Sequence, residues 1–160
     1  VTRYMAAETE TTSDRAALRP RTMYLLNQVN QSIRTVLETR LRDHRVTGIQ
    51  YTVLAIVRAR DGISSADLAR RFFVTPQTMN EIVTGLEKRG LIERRELPGN
   101  RRILVTYLRP EGARLLEACD TIADELEAGA FAAMPEEDFT ALRRILRDHL
   151  HRLLDAPAPR

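Results

Sequence analysis

Between Thr75 and Arg109 the chain sets out side chains that can hydrogen-bond to base-pair edges and to phosphate. Gln77, Thr78, Asn80, Glu81, Thr84 and Lys88 share a run, Pro76 to Arg89, whose apolar members Met79, Ile82, Val83 and Leu86 recur at spacings of three, one and three. That period predicts a helix with one face in a core and a polar face turned outward. Carboxamides such as Gln77 and Asn80 can bond adenine N6 and N7 together, while Thr78 and Thr84 can touch a thymine methyl or a phosphate. Glu81 is out of character, because phosphates repel it, and pairing with a neighbouring arginine is the preferred reading over acceptance from cytosine N4. Thr75 suits the N-cap and Pro76 the first helical position, which leaves the first-turn N–H groups open to a phosphate. Gly90 then ends the helix.

Beyond Gly90, the β-rich runs Leu91 to Leu97 and Ile103 to Leu108 flank Pro98-Gly99-Asn100, a turn combination that predicts a hairpin. Arg94, Arg95, Arg101 and Arg102 crowd this hairpin, with Asn100, Arg101 and Arg102 at its tip. Arg70 and Arg71, on the segment before the polar helix, are further candidates for phosphate contact. Contacts of this kind give affinity and salt dependence but little sequence choice. Lys88 is the only lysine among 25 basic residues, and arginine suits bidentate phosphate contact and narrow grooves. The net charge is only +3, so position matters more than total. Acidic residues gather in 120–138, giving the two ends of the fold opposite fields.

These groups need a frame. Residues 1–17 have no apolar period and read as a mobile tail. Residues 18–46 hold Leu25, Leu26, Val29, Ile33, Val36, Leu37 and Leu41 at helical spacing, a first long helix for dimerisation. A lobe over 47–109 follows, opened by the capping box Thr47 to Gln50 and a weaker start at Ser64 to Asp67 for a short helix through Phe72. That helix, a turn at Phe73-Val74 and the polar helix form a helix-turn-helix, and the hairpin makes it winged. Residues 110–156 carry two amphipathic helices, with Leu115, Cys119, Ile122 and Leu126 on one and Phe139, Leu142, Ile145, Leu146, Leu150 and Leu153 on the other. The expected fold is mainly α with a small β-hairpin wing, flanked by helices that form a dimerisation region. Those helices hold more apolar surface than so small a core can cover, and a two-fold homodimer is the economical solution.

Other chemistries find no support. No glycine-rich phosphate loop, nucleophile elbow, H-E-x-x-H or paired-cysteine spacing is present, so no catalytic residue, cofactor or metal is expected. His149 and His151 stand two apart on a helix and diverge, leaving a poor metal set with His44. No apolar stretch approaches the roughly 20 residues of a membrane span, and no secretory leader opens the sequence. The single cysteine, Cys119, cannot close an internal disulfide, which points to a reducing, cytoplasmic setting.

Over roughly residues 20–155 the chain resembles the multiple antibiotic resistance regulator (MarR) family of bacterial transcription factors. The resemblance lies in Gly48 to Leu54, in Gly85-Leu-Glu-Lys-Arg-Gly-Leu-Ile-Glu-Arg94, and in Pro98-Gly-Asn-Arg-Arg102 through Leu108-Arg-Pro-Glu-Gly112. It implies a sequence-specific double-stranded DNA-binding regulator, a repressor by default, that binds a palindromic operator as a homodimer. It also implies that Arg102 matches the wing arginine that enters the minor groove. Two positions depart from the pattern: Asn100 stands where an acidic residue usually holds that arginine, and Arg109 stands where a threonine is usual. Members are often released by a small anionic or phenolic effector, for which Tyr24, Arg34, Tyr51 and Arg58 would line a cleft. Some relatives sense oxidants through a cysteine near the first helix, whereas Cys119 sits in a later apolar stripe and reads as a buried, inert thiol. The alternative is a winged-helix module that binds protein without specific DNA recognition.

Overall fold

A computed structural model describes residues 21–155. The expected tail at 1–17 and the first residues of the 18–46 segment lie outside them. The elements run α1 (Thr22–Leu41), a 3-10 turn (Arg42–His44), α2 (Gly48–Ala59), β1 (Ile63–Ser64), α3 (Ser65–Phe72), α4 (Pro76–Lys88), β2 (Ile92–Leu97), β3 (Asn100–Leu108), α5 (Pro110–Ala130) and α6 (Glu136–Asp155). The chain divides into two compact units at Thr35 and Val36, so α1 begins in one and ends in the other.

Local chemistry sets most of these boundaries. Thr47 Oγ1 accepts the Gln50 N–H at 3.3 Å while Gln50 Oε1 accepts the Thr47 N–H at 3.1 Å, completing the capping box of α2. Ser64 caps α3 by accepting the Asp67 N–H at 3.1 Å, and Thr75 caps α4 by accepting the Thr78 N–H at 3.1 Å. Between α3 and α4 the chain turns at Phe73, whose φ of 52° lies in the left-handed region that side chains disfavour. Its ring is 76 % exposed.

The core of the larger unit gathers Val53, Leu54 and Val57 of α2, Leu68 and Ala69 of α3, Met79, Val83 and Leu86 of α4, and Leu116 of α5, closed by Ile63, Leu91 and Ile92. Ile82, expected on the same α4 stripe, packs at its edge. By contrast, no residue of α6 from Glu136 to Leu153 is buried, and Leu150 and Leu153 are 51 % and 68 % exposed. Along α1 only Leu41 is buried. The outer helices thus keep large apolar faces open.

The sheet has three strands in the order β1-β3-β2, one more than the expected hairpin. Ile63 and Ser64 pair with Thr106 and Val105, and two residues are too few to show an alternating pattern in the sequence. β3 also begins at Asn100, three residues before the β-rich run, because Leu97 pairs with Asn100 across Pro98-Gly99. Pro98 sets φ for the first turn position and Gly99, at φ 85°, supplies the positive φ of the second.

Thr106 of β3 is fully buried and its Oγ1 finds no hydrogen-bond partner among the described residues. A hydroxyl stripped of water without compensation costs stability, so the near-isosteric Thr106→Val variant is expected to be more stable by about 1 kcal/mol. Urea unfolding of the two proteins checks this, with a higher midpoint at unchanged slope as the expected result.

Candidate nucleic-acid interface

Helix α4 presents Gln77, Thr78, Asn80, Glu81 and Lys88 as exposed side chains, with Thr84 half-buried behind them. Its capped first turn lies at Thr75, where the Thr75 and Thr78 hydroxyls approach to 2.8 Å. Gln77 Nε2 donates to Glu81 Oε1 at 3.4 Å, so the pairing expected for Glu81 falls on a glutamine of its own helix and not on an arginine.

Arg94 calls for a correction. Expected as an outward wing contact, it turns inward from β2 and lies along α4. Its Nε donates to Glu87 Oε2 at 2.9 Å, its Nη1 to Asn80 Oδ1 at 3.0 Å and its Nη2 to Thr84 Oγ1 at 3.4 Å. Nη2 also bonds Glu87, whose other oxygen accepts the Arg94 backbone N–H at 3.2 Å. The guanidinium therefore joins the hairpin to α4 and has little left to offer a phosphate. Glu87 had drawn no notice in the sequence, although a carboxylate at a helix end seven residues before an arginine, with a glycine turn between, was a readable signal.

The bonds from Arg94 hold the Glu87 carboxyl below the usual range, against the opposing effect of burial. Because the folded-state pKa is lowered, the stabilisation is present above the ordinary carboxylate range and lost as pH falls through the lowered value. Glu87→Gln is expected to flatten the acid limb of the stability-versus-pH curve, which denaturant titrations between neutral and acidic pH would measure.

The remaining cations divide into paired and unpaired. Arg70 pairs with Asp67. Arg95 pairs with Glu93 and sets its guanidinium 4.9 Å from the centre of the Tyr107 ring. Arg101 Nε lies 3.1 Å from Glu96 Oε2. At the hairpin tip, Asn100 Oδ1 accepts the backbone N–H of Arg102 at 3.2 Å, so it shapes the turn and does not hold the guanidinium. Among the described residues the Arg102 guanidinium makes no hydrogen bond or ion pair, and the same holds for the side chains of Arg71, Lys88 and Arg109. Arg109 occupies the N-cap of α5 without a side-chain cap bond, as its departure from threonine implied. Arg89, not singled out in the sequence, ties the end of α4 to the turn after α1 by donating from Nη1 to the Arg45 carbonyl at 2.7 Å.

This lobe also matches known proteins. Residues 46–103 match the model of the MarR family. The chain is 28 % identical over 123 residues to the HTH-type transcriptional repressor Rv2887 of Mycobacterium tuberculosis, covering 77 % of this chain and 88 % of that protein. In structure it resembles a MarR-family transcriptional regulator from Rhodococcus sp. RHA1 with a TM-score of 0.75 at 22 % identity, over 89 % of this chain and 96 % of the other. It resembles the MepR protein of a MepR–DNA complex from S. aureus with a TM-score of 0.71 at 24 % identity, over 83 % and 96 %. The winged-helix fold expected from the sequence is the fold observed.

Of the residues read as an effector cleft, Tyr24 and Arg34 lie on α1 before Thr35, in the first compact unit. In the second unit, Tyr51 and Arg58 of α2 meet at Asp120 of α5. Tyr51 Oη donates to Asp120 Oδ1 at 3.0 Å, and Arg58 Nη1 reaches Asp120 Oδ2 at 2.6 Å. Burial, followed by the bond to Asp120, pushes the Tyr51 phenol up to about 12. Asp120 had registered in the sequence only as the start of an acidic stretch. The neighbouring Cys119 is fully buried, and burial raises its thiol pKa, as suits a packed and unreactive sulfur.

Proposed function

We propose that this chain is a sequence-specific double-stranded DNA-binding transcriptional regulator, acting in the cytoplasm as a repressor and binding a palindromic operator as a homodimer. One observation carries the proposal: a capped helix with an exposed polar face stands beside a hairpin whose tip arginine, Arg102, has no partner of its own. The match of residues 46–103 to the MarR family model and the likeness to the repressor Rv2887 support it. The open apolar faces of α1 and α6 support the homodimer, since faces of this kind mark interfaces. Two recognition helices related by the dimer axis would enter successive major-groove faces, with Gln77 and Asn80 at base edges and Arg102 in the minor groove. Arg71 and Lys88 serve as phosphate contacts. Release by a small anionic or phenolic compound acting near Tyr51 and Arg58 completes the proposal.

Selection of bound duplexes from a randomised library at moderate salt, followed by sequencing, tests this reading. An enriched palindrome with half-site centres about 10 bp apart is expected. Absence of enrichment, or binding abolished by slight added salt, overturns it in favour of a protein-interaction module or non-specific binding.

A further inference from the structure

The bond from Arg94 to Asn80 decides which half of the Asn80 carboxamide faces outward. A guanidinium carries only donors, so only the carboxamide oxygen can face it, and turning the amide over would set N–H against N–H. Asn80 Oδ1 accepts from Arg94 Nη1 at 3.0 Å. Arg94 cannot swing away freely, because Glu87 Oε2 accepts from both its Nε and its Nη2 and its side chain is only 19 % exposed. Asn80 itself is exposed on α4, so its amino group is the atom presented to a partner.

We infer that Asn80 reads its base as a donor, with Arg94 as the positioning residue, and therefore selects guanine over adenine. The inference rests on the reading of α4 as the DNA-recognition helix. A bidentate adenine contact needs the carboxamide oxygen to accept from N6 while the nitrogen donates to N7. With the oxygen committed to Arg94, that pair of bonds is unavailable. Guanine offers O6 and N7, two acceptors side by side, and the two N–H bonds of the Asn80 amino group match them. Cytosine presents a donor at N4 and is rejected. The outward adenine-type carboxamide expected from the sequence is thereby replaced by one of opposite hydrogen-bond polarity. Gln77 differs, since its amino group is the half engaged, by Glu81, and that bond is long and exposed.

Duplex selection with the full-length chain and two variants tests this assignment. The unaltered protein is expected to enrich guanine at one position in each half-site, and Asn80→Ala to lose that preference by about 5- to 100-fold at that position alone. Arg94→Lys keeps a cation for Glu87 but removes the planar fork that reaches Asn80, and is expected to move the same position toward adenine. Thermal unfolding of each variant separates a folding defect from a change of readout, and Asn80→Ala, on an exposed site, carries the test if Arg94→Lys does not fold. An operator that enriches adenine at the position relaxed by Asn80→Ala overturns the inference, as does an Asn80→Ala selection identical to the parent. Either result leaves DNA recognition intact, whereas no enrichment with the unaltered protein removes the reading beneath it.

Discussion

Gly112→Ala is expected to destabilise the protein by about 3 kcal/mol or more, at the upper end of the cost of overpacking. A Cβ on Gly112 would lie 2.0 Å from the Leu91 carbonyl oxygen and 2.9 Å from Leu108 Cδ1. The nearer atom is backbone and cannot step aside as a side-chain end could. The same oxygen accepts the Arg109 N–H at 3.0 Å, so displacing Leu91 would also disturb the junction where β3 passes into α5. Calorimetry is expected to show a fall in Tm of roughly 6–12 °C at this chain length. Gly85→Ala provides the control, because its Cβ would meet nothing within 4 Å and it stands inside α4. There, alanine is expected to stabilise by about 0.5–1 kcal/mol through helix propensity alone. Equal effects at the two positions would show that backbone contact at Gly112 is not what matters.

Arg102→Ala is expected to weaken operator binding by about 10- to 100-fold while leaving the unfolding midpoint within about 0.5 kcal/mol of the parent. Among the described residues the guanidinium makes no hydrogen bond or ion pair, so its removal should leave stability nearly untouched. In the proposed complex it contributes charge and minor-groove contact, and two copies would act in a dimer. The slope of log K against log salt should therefore fall by about 2, one for each protomer. Arg101, already within 3.1 Å of Glu96, should show the smaller effect on substitution. Titration of both variants against the selected operator at several salt concentrations measures the difference. An unchanged salt slope for Arg102→Ala would place the arginine away from the nucleic acid.

Much of the architecture was legible because its causes are local. The caps at Thr47, Ser64 and Thr75 each reach a partner three residues on, a distance set by the helix backbone itself. The apolar stripe of α4 needed only the helical period, and Met79, Val83 and Leu86 are buried as that period requires. The wing turn was readable from Pro98-Gly99 for the same reason. β1 was not, since two residues hold a strand only because β3 lies beside them.

Polar partnership was the least legible property. Tyr51 and Arg58 carried the right residue types for an anion site, but nothing nearby in the chain disclosed that Asp120, 69 and 62 positions away, would bond to both. Arg94 and Arg102 read alike as basic residues of a wing. One proved to be a brace between β2 and α4 and the other an unpaired cation at the tip.

By itself, then, the sequence determined the winged-helix order, the capped polar helix and the apolar excess of the outer helices, because caps, turns and periodic stripes are written within a few residues. Only the tertiary structure decided which polar atoms stay open, for a side chain's last hydrogen bond goes to whatever the fold packs against it. The oxygen of Asn80 and the guanidinium of Arg94 are spent on each other for that reason, and Arg102, just past a two-residue turn and without a side-chain hydrogen bond or ion pair among the described residues, is left to meet a partner from outside.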